Sequence, residues 1–163
     1  FNLDALWAVA LVVTAVHHCD LGVDVTTAHR HHPLEALISF SITLPVLLLL
    51  APAQSVILVA SLFQILLALW SHSNLYVPEP LDRWLRYLIV TPDFHRLHHH
   101  SSQRYTDSNY SLALPWFDYL FGTATRVSFT DQLQICLGLE YFRNDADGGL
   151  MRLLLMPFTW RKR

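Results

Sequence analysis

Apolar and polar positions divide the chain into three zones. In the first, apolar residues run from about Leu3 to Val16 and end directly against His17 and His18. This stretch predicts a helix that is short for a membrane span, expected to be the end of a longer one beginning upstream of Phe1. In the second zone, Ala36 to Pro78, there is no Asp, Glu, Lys or Arg. Pro52 and the APAQ turn split its apolar part into Ala36–Pro52 and Ser55–Ser71. At the helical rise each segment covers about 25 Å, the lower limit for a crossing helix. The pair predicts a transmembrane hairpin over about 36–71; the alternative is a buried helical hairpin in a soluble protein.

The third zone, Tyr76 to Arg163, is mixed and amphipathic. In PEPLDRWLRYLIV, Leu81, Trp84, Leu85 and Leu88 recur at helical spacing and Pro80 suits a first turn. TDSNYS reads as a turn, PWFDYLFG is aromatic enough for a bilayer interface, and Gly148–Gly149 precedes an apolar helix over Leu150–Met156. The basic end, TWRKR, is expected to fray. No internal repeat or linker interrupts this pattern. The expected fold is one all-α domain over 1–163, an integral membrane helical protein with a hairpin and a histidine-rich helical cap at about 72–125.

Charge adds an orientation. Arg30 precedes the hairpin and Arg83, Arg86 and Arg96 follow it, while the Pro52–Gln54 turn is uncharged. The positive-inside rule then places both flanks in the cytosol. A net charge of −2 and scattered basic residues exclude a nucleic-acid partner. Two cysteines, Cys19 and Cys136, are too few for a disulfide framework.

The hairpin also brings two groups of histidines to one membrane face. His17, His18, His29, His31 and His32 precede it; His72, His95, His98, His99 and His100 follow. On a helix His95, His98 and His99 stand at i, i+3 and i+4, on one face, with His100 pointing away. Neutral imidazole binds iron, zinc, copper or nickel, and a site without thiolates does not choose among them. Seven or more convergent histidines exceed one tetrahedral zinc and suit two metal ions. Asp20, Asp24, Glu35, Asp93, Asp107 and Asn109 are the candidates to orient the ligands, because a ligating histidine commonly donates its second N–H to an oxygen. No nucleophile elbow, Walker loop or dinucleotide fingerprint supports a rival plan.

The segments DVTTAHRHHPLE, WSHSNLYVPEPLDRWLRYLIVTPDFHRLHHHSS, TDSNYSLALPWFDYLFGT and GLEYFRND…LLLMPF resemble, in order, the downstream two thirds of the fatty acid hydroxylase/sterol desaturase superfamily. The match runs from about His17 to Phe158. The resemblance implies an integral membrane, non-haem di-iron oxygenase of the bacterial inner membrane or endoplasmic reticulum, with its metal site facing the cytosol. Its partners would be a lipid substrate, O2 and an electron-donor redox protein; zinc could occupy the iron site of a purified form. The implied reaction is hydroxylation or desaturation of a fatty acyl or sterol-like C–H bond. The implied ligands are His17, His18, His32, His72, His95, His98 and His99; His29, His31 and His100 fall at positions the family does not use. Trp70, Trp116, Phe117 and Phe121 would line the lipid slot or form an interfacial aromatic belt.

Two departures stand beside the match. Thr14 occupies the position of the first histidine of an H-x-x-H-H box, and residues 1–16 contain no histidine to supply a further upstream box. The chain is accordingly a fragment of an active oxygenase, a degenerate member, or a member with a reduced single-metal site. A non-catalytic module with structural zinc or pH sensing and a zinc hydrolase with Glu35 or Asp107 as general base are readings from other classes.

Overall fold

A computed structural model describes residues 12–132, 134–144 and 148–159. Most of the helix expected over Leu3–Val16, and most of the basic end, lie outside the described residues. Among the described residues there is no β-strand, only an isolated bridge between His100 and Leu137. The helices are α1 (12–18), α2 (Pro33–Leu50), α3 (Gln54–Ser71), α4 (Glu79–Leu85), α5 (Pro92–His98), α6 (Gln103–Thr106), α7 (Trp116–Phe121), α8 (Phe129–Gln132) and α9 (Leu150–Thr159). A 3-10 turn at Thr27–His29 joins α1 to α2.

The hairpin is α2 and α3, each of 18 residues and about 27 Å long. α2 begins at Pro33, one turn earlier than the apolar run alone predicts. Proline needs no partner for an amide at the first helical position, and the His32 Nδ1 caps the start by accepting the Leu34 N–H at 3.1 Å. The helix ends where Ala51 adopts a left-handed φ of 42° and returns its N–H to Leu47. No residue of α2 is buried, and Leu48 and Leu49 are 72% and 85% exposed. An apolar surface of this size marks a membrane-facing helix. The chain is an all-α membrane protein.

The two ends of α3 differ. Its beginning is exposed like α2, whereas Leu67, Ala68 and Ser71 near its end are buried. That end packs on α5. Trp70 fixes the approach by donating its indole N–H to the Val90 carbonyl at 3.0 Å, immediately before α5. α5 is short, but Thr91 caps it through the Phe94 N–H and Pro92 fills its first turn. Phe94 and Leu97 are its almost fully buried anchors.

α4 stops at Leu85 rather than continuing through the apolar pattern to Leu88. The chain tightens there, with Tyr87 and Leu88 bonding back three residues to Trp84 and Leu85. Arg86 pairs with Asp82, and both are buried. The last apolar helix extends beyond the predicted Met156 to Thr159 and carries Met156 against Ala15, Val16, Cys19 and Phe142. α9 thus closes over α1, leaving the histidine-bearing ends of α1, α3 and α5 inside the cap.

Candidate metal centre

Three elements deliver the histidines. α1 ends with His17 and His18, α3 is followed by His72 as its C-cap, and α5 carries His95 and His98 with His99 as its C-cap. One ring nitrogen from each of His17, His72, His95 and His99 lies within 4.8 Å of the others. His72 Nε2 is 3.2 Å from His17 Nε2 and 3.0 Å from His95 Nε2, and His95 Nε2 is 3.3 Å from His99 Nε2. The four side chains are at most 8% exposed.

Proton counting decides what these contacts mean. His72 Nδ1 lies 2.8 Å from the Ala68 carbonyl, which can only accept, so Nδ1 holds the proton and Nε2 presents a lone pair. His17 and His95 could each donate one proton to that lone pair. His95 would then have nothing left to accept from, or donate to, His99. The Nδ1 atoms of His17, His95 and His99 are also buried without a partner. As a hydrogen-bond network the cluster is under-supplied with protons, whereas a cation satisfies four converging lone pairs at once. Burial, reinforced by the neighbouring imidazoles, holds His95 and His99 well below the ordinary histidine pKa, so both are neutral and ligand-ready. The donor set fits a borderline transition metal; Cys19 is turned away, its thiol donating to the Val16 carbonyl.

His18 and His98 adjoin this group. Their ring centroids are 4.5 Å apart, and His18 lies 4.8 Å from His99. His98 Nδ1 is 2.7 Å from the Ser108 carbonyl, which fixes its proton there and frees Nε2. His32, expected among the ligands, is engaged elsewhere: Nδ1 caps α2 and Nε2 donates to the Leu154 carbonyl at 3.1 Å. His31 contacts the Glu35 carboxylate at 3.0 Å and the Ala28 carbonyl at 3.1 Å, two acceptors that favour the imidazolium. Its pKa is raised, chiefly by the bond to Glu35. His29 is exposed, and His100 Nδ1 accepts the Ser102 N–H.

The expected orienting residues divide similarly. Asp20 holds Thr27 and Arg30, fastening the 3-10 turn beside α1. Glu35 holds His31, Asp24 closes its own turn through Thr26, and Asp107 is exposed. Asp93, beside His95 at the start of α5, has its carboxyl pKa raised by burial. Asn109 is fully buried and reaches α5 through the Phe94 carbonyl. Of the aromatic residues, Trp70 is half-buried on α3, whereas Trp116, Phe117 and Phe121 are exposed and form a belt on α7.

Sequence reading missed three contributors. The Ala68 and Ser108 carbonyls are backbone groups with no residue-type signature. Asp118 had one: a carboxylate inside the aromatic run PWFDYLF is costly unless donors surround it. It is 2% exposed and accepts from Tyr110 N, Ser111 N and Thr123 Oγ1.

Comparison with known proteins gives the same picture from another side. The chain is 28% identical over 162 residues to alkylglycerol monooxygenase of Danio rerio, covering 99% of this chain and 33% of that protein. It is 28% identical over 123 residues to very-long-chain aldehyde decarbonylase GL1-5 of Oryza sativa subsp. indica, covering 70% and 19%. Against alkylglycerol monooxygenase of Xenopus tropicalis the identity is 32% over 107 residues, covering 66% and 23%. This chain therefore spans a third or less of the length of these relatives. No solved structure matches. The fatty acid hydroxylase model matches residues 6–123, a span that includes every histidine of the cluster, and the chain belongs to that family.

Proposed function

We propose that this chain carries the metal centre of a membrane oxygenase that hydroxylates or desaturates a C–H bond of a fatty acyl or sterol-like lipid, using O2. The observation that carries the proposal is the convergence of four buried histidine nitrogens within 4.8 Å beside an exposed apolar hairpin. His17, His72, His95 and His99 would hold one iron, and His18 and His98, packed against them, would contribute to a second. When bound, such metals supply the activation of O2, drawing two electrons from a redox protein.

The chain's own residues do the rest. Ala68 and Ser108 fix the tautomers of His72 and His98. Phe94, Leu97 and Val90 exclude water from the α5 side. The exposed hairpin gives a lipid chain a route from the bilayer to the buried end of α3, where Trp70 adjoins His72. Arg30, Arg83, Arg86 and Arg96 favour a cytosolic cap.

Metal content per chain, measured by mass spectrometry on protein purified in mild detergent without a metal-binding tag, tests this reading. Close to two irons per chain is the expected result. A second reading, a reduced single-metal site, is favoured by one observation: among the described residues one group alone brings three or more ligand nitrogens together. One ion per chain would establish that reading, and none would overturn both.

A further inference from the structure

The loop 107–111 does more than join α6 to α7. Its Ser108 carbonyl receives the Nδ1 proton of His98, and the Ser108 hydroxyl donates to the Tyr105 carbonyl. Asn109, fully buried with a left-handed φ of 53°, donates through Nδ2 to the carbonyls of Phe94 and Thr125 and accepts the Thr125 N–H at Oδ1. The Asn109 N–H is bonded to the Thr123 carbonyl. The next two amides, Tyr110 and Ser111, donate to the two carboxylate oxygens of Asp118 at 2.8 and 2.9 Å. Thr123 Oγ1 donates to the same carboxylate at 2.6 Å, and the Thr123 N–H returns to the Asp118 carbonyl. Asp118 thus grips the loop directly after Asn109 and, through Thr123, grips the strut that holds Asn109.

We infer that Asp118 is a positioning residue for the metal centre, acting through the Tyr110 and Ser111 amides to set the Ser108 carbonyl that holds His98 as its Nδ1–H tautomer. A fixed carboxylate is suited to the task, because it accepts two adjacent backbone N–H groups and a hydroxyl while donating nothing in return. Asparagine in its place keeps one acceptor oxygen and turns a second donor against an amide. The loop would then loosen by one anchor, and the His98 ring would lose its fixed partner. This inference rests on the proposal that His98 is a ligand, and two measurements separate them.

The first is metal per chain for the full-length chain in detergent, in a double-mutant cycle. His98→Ala is expected to lower the content by about one ion, as loss of a ligand does, and Asp118→Asn to lower it equally. The combined variant should lose no more than His98→Ala, because both act on one ligand. Full metal content in Asp118→Asn, or a further loss in the combined variant, would overturn the inference. The second is the His98 tautomer, read by 15N spectroscopy of histidine-labelled protein and assigned by its absence in His98→Ala. Asp118→Asn should shift His98 from Nδ1–H toward Nε2–H while His72, held by Ala68 of its own helix, stays unchanged. An unmoved His98 signal sinks the inference even if His98→Ala leaves metal content untouched, in which case the ligand reading fails on its own. If Asp118→Asn does not fold, Thr123→Val removes one bond to the carboxylate and must move His98 in the same direction by a smaller amount.

Discussion

At the scale of the residue, a histidine's role follows from what its second nitrogen does. His72 and His98 give one nitrogen to a carbonyl and keep the other free, whereas His31 and His32 spend both on the protein. His95 links two neighbours, its Nε2 lying beside both His72 and His99. His95→Ala should therefore lower metal content by about one ion per chain and weaken affinity by more than the roughly tenfold that loss of a supporting contact costs. His100→Ala should leave metal content unchanged, since its imidazole caps a local turn; equal loss in both variants would refute the cluster as the metal site. That His95, His98 and His99 come together was legible from spacing alone, because i, i+3 and i+4 share a helix face whatever the tertiary context. It could not show where His32 points. Its Nε2 partner is the Leu154 carbonyl, 122 residues away in the chain, and no local pattern encodes that contact.

At the scale of the element, the cap is assembled from pieces too short to be stable alone, so their ends matter more than their interiors. α5 has 7 residues, and Thr91, with no exposed surface, caps it through the Phe94 N–H at 3.3 Å. Thr91→Ala should cost about 1 kcal/mol and lower the thermal midpoint by several degrees, with Thr91→Ser restoring most of it. A midpoint unchanged by the alanine variant would mean that packing of Phe94 and Leu97, not the cap, fixes the start of α5. The hairpin was legible because 43 residues without a charge leave few alternatives, whereas the extent of α4 was not. Leu81, Trp84, Leu85 and Leu88 keep helical spacing, but Leu81, Trp84 and Leu88 are exposed and Leu85 is only partly buried, while Asp82 and Arg86 point inward as a buried pair. Period alone predicts which residues share a face; which face is buried depends on what surrounds the helix.

At the scale of the whole molecule, both ends of the hairpin must lie on one side of the membrane if α2 and α3 each cross it. His32 at the start of α2 and His72 at the end of α3 both belong to the cap, and the Ala51–Ala53 turn stands at the far end, about 27 Å away along each helix. The exposures agree with that separation: α3 is buried only at its cap end, and Ala51 and Ala53 of the turn are exposed. Cys136 offers a natural reporter for the cap side, because it is exposed while Cys19 is buried. In a Cys19→Ser background, an impermeant maleimide added to sealed vesicles should reach Cys136 from one side only. A chain in which Gln54→Cys is the sole cysteine, with Cys136→Ser, should react from the opposite side. Reaction of both positions from the same side would mean that the hairpin lies along one face instead of crossing. On the proposed function, lipid would then have to reach the histidine cluster from the surface rather than from within the bilayer, and the buried end of α3 could not serve as the point of entry.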